Sequence, residues 1–187
     1  MKEKLKLLEY YLKNKNQVLF LDIETEGLSK ERNEITLIGL YKDNRYYAFV
    51  RGVNFEKVLY FLTSTPFWIT FGGENFDIPF IKKTFSEQVY PKYHLDLYYY
   101  TTLIGIKGGL KKVEKALGIE RKTEGMNGYD AVKLWKKWQE EKDSRALQKL
   151  ILYNKEDVVN LKVILEYVIS KIYTLGGDLL YEKVKQL

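Results

Sequence analysis

Cysteine is absent from this chain of 187 residues, and histidine occurs once, as His94. The first absence excludes disulfides, thiol catalysis and cysteine-ligated metal sites. The second leaves carboxylates and a lone imidazole as candidate ligands, so any metal is expected to be held by oxygen. No apolar run approaches the ~20 residues needed to cross a bilayer. The N-terminus, MKEKLKLLEYYLKNKN, is basic and has no continuous apolar stretch of signal-peptide length. These absences point away from a membrane and toward a cytoplasmic setting.

What is present is charge and aromatic surface. Lys and Arg number 31 against 25 Asp and Glu, a formal net charge of +6. That excess suits a polyanionic partner and equally suits solubility. Sixteen Tyr and nine Phe suit base stacking or a packed core. No feature of the sequence sets an oligomeric state, a homo-oligomer included.

The length suits one α/β domain with a substantial core and divides poorly into two. A single domain is expected over residues 1–187, with an N-terminal helix in 1–16 and a C-terminal helical tail in 171–187. Leu5, Leu8, Tyr11 and Leu12 have helical spacing, and a strand follows from about Gln17 to Ile23. EITLIGLY and RYYAFV, separated by Lys42-Asp43-Asn44, read as an antiparallel hairpin. Asn54 is placed as the N-cap of a helix through Val58, Leu59 and Leu62, which Pro66 closes. FWITF and YHLDL read as further strands around a helix that can hold Pro79 only in its first turn. From Tyr98 onward the pattern is helical, with stripes at Leu110, Val113 and Leu117, at Ala131, Leu134, Trp135 and Trp138, and from Leu147 to Val168. This order predicts an α/β fold, a mixed five-stranded sheet of antiparallel meander plus parallel strands, flanked by helices.

The chemistry starts at VLFLDIETEGLS, residues 18–29. Strand side chains alternate, so Asp22 and Glu24 point the same way, about 7 Å apart along the backbone. Two like charges in one small volume call for a cation, for a retained proton, or for solvation in a surface turn. Asp77 stands near a helix start, either as a macrodipole partner or as a third acid. Tyr153 and Asp157 are four residues apart and share a helix face, with Asp157 at the edge of the apolar stripe. Asp157 either pairs with a base such as Lys162 or joins the other acids. Gly108-Gly109-Leu110-Lys111-Lys112 either offers amides and two cations to phosphate or forms ordinary loop-and-helix packing. His94 reads as structural or peripheral, Asp96 as a supplementary acid, and Trp135 and Trp138 as core.

DIET, NFDIPF and YNKED in this order resemble the DEDD superfamily of 3′-5′ exonucleases, and the tyrosine four residues before the last aspartate resembles its DEDDy branch. HLDL, GGLKKVEKALGI and GYDAVKLWKKW resemble the YprB-like exonuclease family, and the likeness spans roughly residues 16–170. A ribonuclease H-like sheet fits the element order. The resemblance implies two Mg²⁺ or Mn²⁺ ions, with Asp22 bridging them, Glu24 and Asp157 completing the shell of the first ion and Asp77 holding the second, partly through water. It implies that Tyr153 hydrogen-bonds the attacking water, that Thr25, Gly27 and Leu28 wrap the terminal nucleotide, and that Asn75 reaches the substrate. Lys111 and Lys112 are the candidate phosphate contacts. The expected activity is 3′-5′ hydrolysis of single-stranded DNA with a free 3′ end, releasing mononucleotides. Trimming of RNA on the same site is the alternative within enzymes. A nucleic-acid-binding module without nuclease activity is the alternative outside them, although decay would be expected to remove at least one of Asp22, Glu24, Asp77, Tyr153 and Asp157, and all five are present.

Overall fold

Strands with apolar side chains on both faces need a helical layer on each side, and that requirement organises the molecule. The computed structural model describes residues 2–174. Strands β1 (Val18–Thr25), β2 (Ile35–Lys42), β3 (Arg45–Val50), β4 (Phe67–Thr70) and β5 (Tyr93–Asp96) form one sheet in the order β3-β2-β1-β4-β5. The pairs β1–β2 and β2–β3 are antiparallel, while β1–β4 and β4–β5 are parallel. This is the mixed five-stranded, ribonuclease H-like arrangement expected. Asp43 and Asn44 turn the hairpin with φ of 50° and 60°, so Lys42 pairs with Arg45. Both residue types tolerate that left-handed backbone, which matches strand twist in a two-residue loop.

The first strand runs past Ile23 through Glu24 to Thr25, and both Glu24 and Thr25 are buried. The reading of Asp22 and Glu24 as solvated turn residues is therefore overturned. The register with β2 shifts between Glu24 and Thr25, an irregularity that releases the chain from the ladder just past the two acids.

Val18 and Phe20 face a core shared with α1 (Lys2–Lys13), α4 (Leu97–Leu103), α5 (Leu110–Ala116) and α7 (Ser144–Thr174). Leu19, Leu21 and Ile23 face the opposite core, with Val58 and Leu62 of α2 (Val58–Ser64) and Phe80 and Ile81 of α3 (Asp77–Thr84). Trp135 of α6 (Gly128–Glu141) is buried with Leu37, Val50, Leu150 and Tyr153, and Trp138 packs against them, so both are core as expected.

Helix α7 dominates one layer. Within its 31 residues the buried Leu150, Val158, Leu161, Leu165, Val168 and Ile172 recur at helical spacing. Of the expected C-terminal tail, 171–174 continue this helix and 175–187 lie outside the described residues. Pro79 falls in the first turn of α3, where its missing N–H costs nothing. Asn54 corrects its expected role. It precedes a 3-10 turn, Phe55–Lys57, and makes no side-chain cap. Instead it accepts from the Val50 amide at 2.8 Å and donates to the Ala48 carbonyl at 3.0 Å, because the sharp exit from β3 offers nearer partners. Among the described residues, no helix is long and apolar enough to cross a membrane.

Candidate active site

Four acids converge where α7 crosses β1. Asp22 and Glu24 leave the same face of β1, and Asp157 descends from α7. One carboxylate oxygen from each of these three lies within 4.8 Å of the others. Asp77, buried at the first position of α3, stands beside them with its Oδ1 accepting from the Ile23 amide at 3.1 Å. That bond ties the start of α3 to β1 between the two acids.

The electrostatics are severe. Burial holds the Asp22 carboxyl well above the usual range, and the charges of Asp157, Asp77 and Glu24 push it further, with Lys111 opposing. Burial also raises Glu24 to about 8, the Asp157 charge adding to it and the hydrogen bond from Asn154 opposing. Asp77 is pushed up to about 7, chiefly by burial. Buried carboxylates of this density are stable when they keep protons or share a cation. The donor set is all oxygen, which fits a hard divalent ion such as Mg²⁺ or Mn²⁺ and not a soft one.

Asp157 finds its partners within the site, not at Lys162, whose ammonium instead donates to Asn44 Oδ1 at 3.1 Å. Lys111 Nζ pairs with Asp157 Oδ1, and Arg121 Nη1 reaches the same oxygen at 2.6 Å. Arg121 also binds Glu114 at 2.7 Å, so it lies between two buried carboxylates. Tyr153 sits one turn above Asp157, with Lys111 Nζ 4.5 Å and the Arg121 guanidinium 5.3 Å from its ring centroid. Burial and the nearby carboxylates raise the Tyr153 phenol, so it stays protonated.

An open cleft of about 550 Å³ is lined by Asp22, Asp157, Tyr153, Lys111, Lys112 and Tyr98, among others. Lys112 is exposed and Lys111 half-buried, so cations line the cleft beside the acids. The remaining predicted contacts lie elsewhere. Leu28, 87% exposed, lines a separate depression with Ser29, Arg32 and Asn33. The Thr25 hydroxyl donates to the Gly27 carbonyl at 2.7 Å. A Cβ on Gly27 would lie 2.7 Å from Asn33 Oδ1, so glycine fits the turn that Asn33 packs against. Asn75 is exposed on the loop before α3.

Asp96, the expected supplementary acid, lies close enough for its charge to help raise Asp77. The Asp96 carboxylate accepts from the amides of Gly72 (2.6 Å), Glu74 (3.1 Å) and Tyr98 (3.1 Å), pinning the loop after β4 and capping α4. His94 Nε2 lies 2.9 Å from Thr70 Oγ1 on the neighbouring strand, a structural pairing as expected. Two residues of the cluster escape sequence reasoning. Asn154 is an amide in the middle of an apolar stripe, between Leu150 and Val158, and that anomaly is its signal. Arg121 comes from the α5–α6 loop and carries no local signal.

Several solved structures, each under 20% identical to this chain, share its fold. An apo form of a nuclease is 18% identical, with 94% of this chain matched to 83% of that one at a TM-score of 0.62. The family B DNA polymerase of the hyperthermophilic archaeon Pyrobaculum calidifontis is 17% identical, with 84% of this chain matched to 24% of the polymerase at 0.58. NrnC of Brucella melitensis is 15% identical, with 92% of this chain matched to 83% of that one at 0.60, and has also been solved with bound Mg²⁺ and bound to pGG. No curated protein matches in sequence. The family model described as RNase_H superfamily matches residues 19–169, most of the sheet together with the acid-bearing part of α7, and this chain belongs to the RNase H superfamily.

Proposed function

We propose that this domain is a metal-dependent 3′-5′ exonuclease of the DEDDy, YprB-like kind, releasing mononucleotides from single-stranded DNA. The observation that carries the reading is the convergence of Asp22, Glu24 and Asp157 within 4.8 Å, beside a cleft lined by Tyr153, Lys111 and Lys112. The likeness to NrnC, solved with Mg²⁺ and with pGG, supports the same chemistry.

Asp22 would bridge two Mg²⁺ or Mn²⁺ ions, with Glu24 and Asp157 on the first and Asp77 on the second. Bound there, the ions supply the positive charge that activates water and stabilises charge developing at phosphorus. The chain's own groups do the rest. Tyr153, held protonated, orients the attacking water by hydrogen bonding and does not serve as a base. Lys111 and Lys112 draw the phosphodiester into the cleft, and Lys111 can exchange its Asp157 partner for a phosphate oxygen. Leu28 would meet the terminal base, with Thr25 and Gly27 shaping the turn beneath it and Asn75 reaching the substrate from the loop before α3.

The test is incubation with 5′-labelled single-stranded DNA and RNA of one sequence, with Mg²⁺, Mn²⁺ or EDTA, beside Asp22→Ala. The expected result is a ladder shortening from the 3′ end, faster on DNA, and abolished by EDTA and by the substitution. Salt-sensitive binding without cleavage of either polymer would replace this reading with a binding module.

A further inference from the structure

Asp22 and Glu24 repel each other, yet something must hold both in one orientation. Asn154, wholly buried on α7, stands over them. Its Nδ2 donates to Asp22 Oδ2 at 2.9 Å and lies 3.3 Å from both Glu24 Oε1 and the Asp22 carbonyl. One amide nitrogen thus reaches a side-chain oxygen of each acid.

A side-chain amide has a donor end and an acceptor end, and the reverse orientation would aim its oxygen at two carboxylates. The three acceptors on β1 disfavour that reversal, and Tyr46 of β3 engages the acceptor end. Its hydroxyl donates to Asn154 Oδ1 at 2.9 Å, and Nδ2 is left facing β1. Space for the amide comes from β2. Gly39 is the register partner of Asp22, and a Cβ there would lie 1.7 Å from Asn154 Oδ1. Three elements therefore cooperate to place one N–H₂ group: Tyr46 orients it, Gly39 admits it, and α7 carries it.

We propose that Asn154, oriented by Tyr46, is a positioning residue that presents Asp22 and Glu24 to a divalent cation. This rests on the metal-dependent reading above. The amide engages one side-chain oxygen on each carboxylate and leaves the other open. Being neutral, it fixes the acids without placing a competing cation between them. Groups that orient metal ligands in this way typically contribute about 10–100-fold to metal affinity or activity.

The experiment titrates the full chain with Mn²⁺ alone by calorimetry, in wild type, Tyr46→Phe and Asn154→Ala, with thermal unfolding in EDTA and exonuclease assays in parallel. Tyr46→Phe removes one hydroxyl and keeps the ring, so it keeps the test informative where Asn154→Ala fails to fold. The expected result is a Mn²⁺ affinity about tenfold weaker in Tyr46→Phe, and weaker again in Asn154→Ala. A purely structural role would lower the unfolding midpoint and leave Mn²⁺ affinity at the wild-type value in both variants, and that result overturns the inference. Wild type that binds Mn²⁺ with Tyr46-dependent affinity yet cleaves neither polymer would sink the nuclease reading and sustain this one. A wild-type chain that binds no Mn²⁺ overturns both.

Discussion

Removing a charge from the cluster should stabilise the metal-free protein, and Glu24→Gln is the cleanest way to see it. The amide is close in shape to the carboxylate, and its oxygen can still accept from Asn154. Glu24 titrates near 4.5 when unfolded and at about 8 when folded. The folded value is raised, so its stabilising contribution is complete below the unfolded value and is lost as pH climbs through about 8. In that window the unfolded chain has released a proton that the folded chain retains, and stability falls by about 1.4 kcal/mol per pH unit. From pH 5 to pH 8 that amounts to about 4 kcal/mol, or roughly 10 °C in a chain of this size. Thermal unfolding in EDTA across this range is the assay. Wild type should lose stability steadily. The glutamine variant should fall less, its residual slope coming from Asp77 and Asp22, whose carboxyls are also held above the usual range. A wild-type midpoint that is flat or rises with pH, or a variant that tracks wild type throughout, would refute the electrostatic account.

Other outcomes follow from the same geometry. Tyr153→Phe should keep the fold and lower kcat by roughly a hundredfold, since it deletes a hydroxyl that would position water in the cleft; an unchanged kcat would remove Tyr153 from the mechanism. Lys112→Ala should weaken binding uniformly across sequences and reduce the salt slope by about one, as loss of a phosphate contact does. Gly39→Ala should destabilise the protein by about 1–3 kcal/mol in chemical denaturation, because a Cβ 1.7 Å from Asn154 Oδ1 forces the amide or the strand to move. Arg121→Gln should cost about 3–5 kcal/mol by leaving Glu114 and Asp157 buried with less compensation. A further Glu114→Gln should restore part of that loss.

The sheet was legible because its strands are apolar and short, its hairpin turn has Asp43 and Asn44 where left-handed backbone is needed, and its helices repeat at 3.6 residues. The acids were legible from spacing within β1 and within α7, where periodicity alone decides which side chains share a face. What spacing does not convey is which groups from distant elements meet. Arg121 lies 36 residues before Asp157 in an irregular loop, and only tertiary folding brings it there. Asp96 has the residue type and strand position of a site acid, and its engagement with three amides of the β4 and β5 exits becomes visible only once both loops are in place. The Asn54 cap failed for the same reason, since backbone groups of β3 compete for the side chain.

Topology explains why the acids gather at one edge, and their partners explain why β1 in particular could hold a cation. Strands β1, β4 and β5 run parallel, so their C-terminal ends lie along one side, where open α/β sheets collect ligand-binding groups. Glu24 lies near the end of β1, Asp77 follows β4, and Asp96 ends β5. Compensation of these acids is uneven. Asp96 has three backbone donors, Asp157 has Arg121 and Lys111, and Asp77 has the Ile23 amide at the start of a helix. Asp22 and Glu24 share a single side-chain amide. The electrostatic deficit is greatest on β1, which makes Asp22 and Glu24 the pair that gains most from a divalent cation.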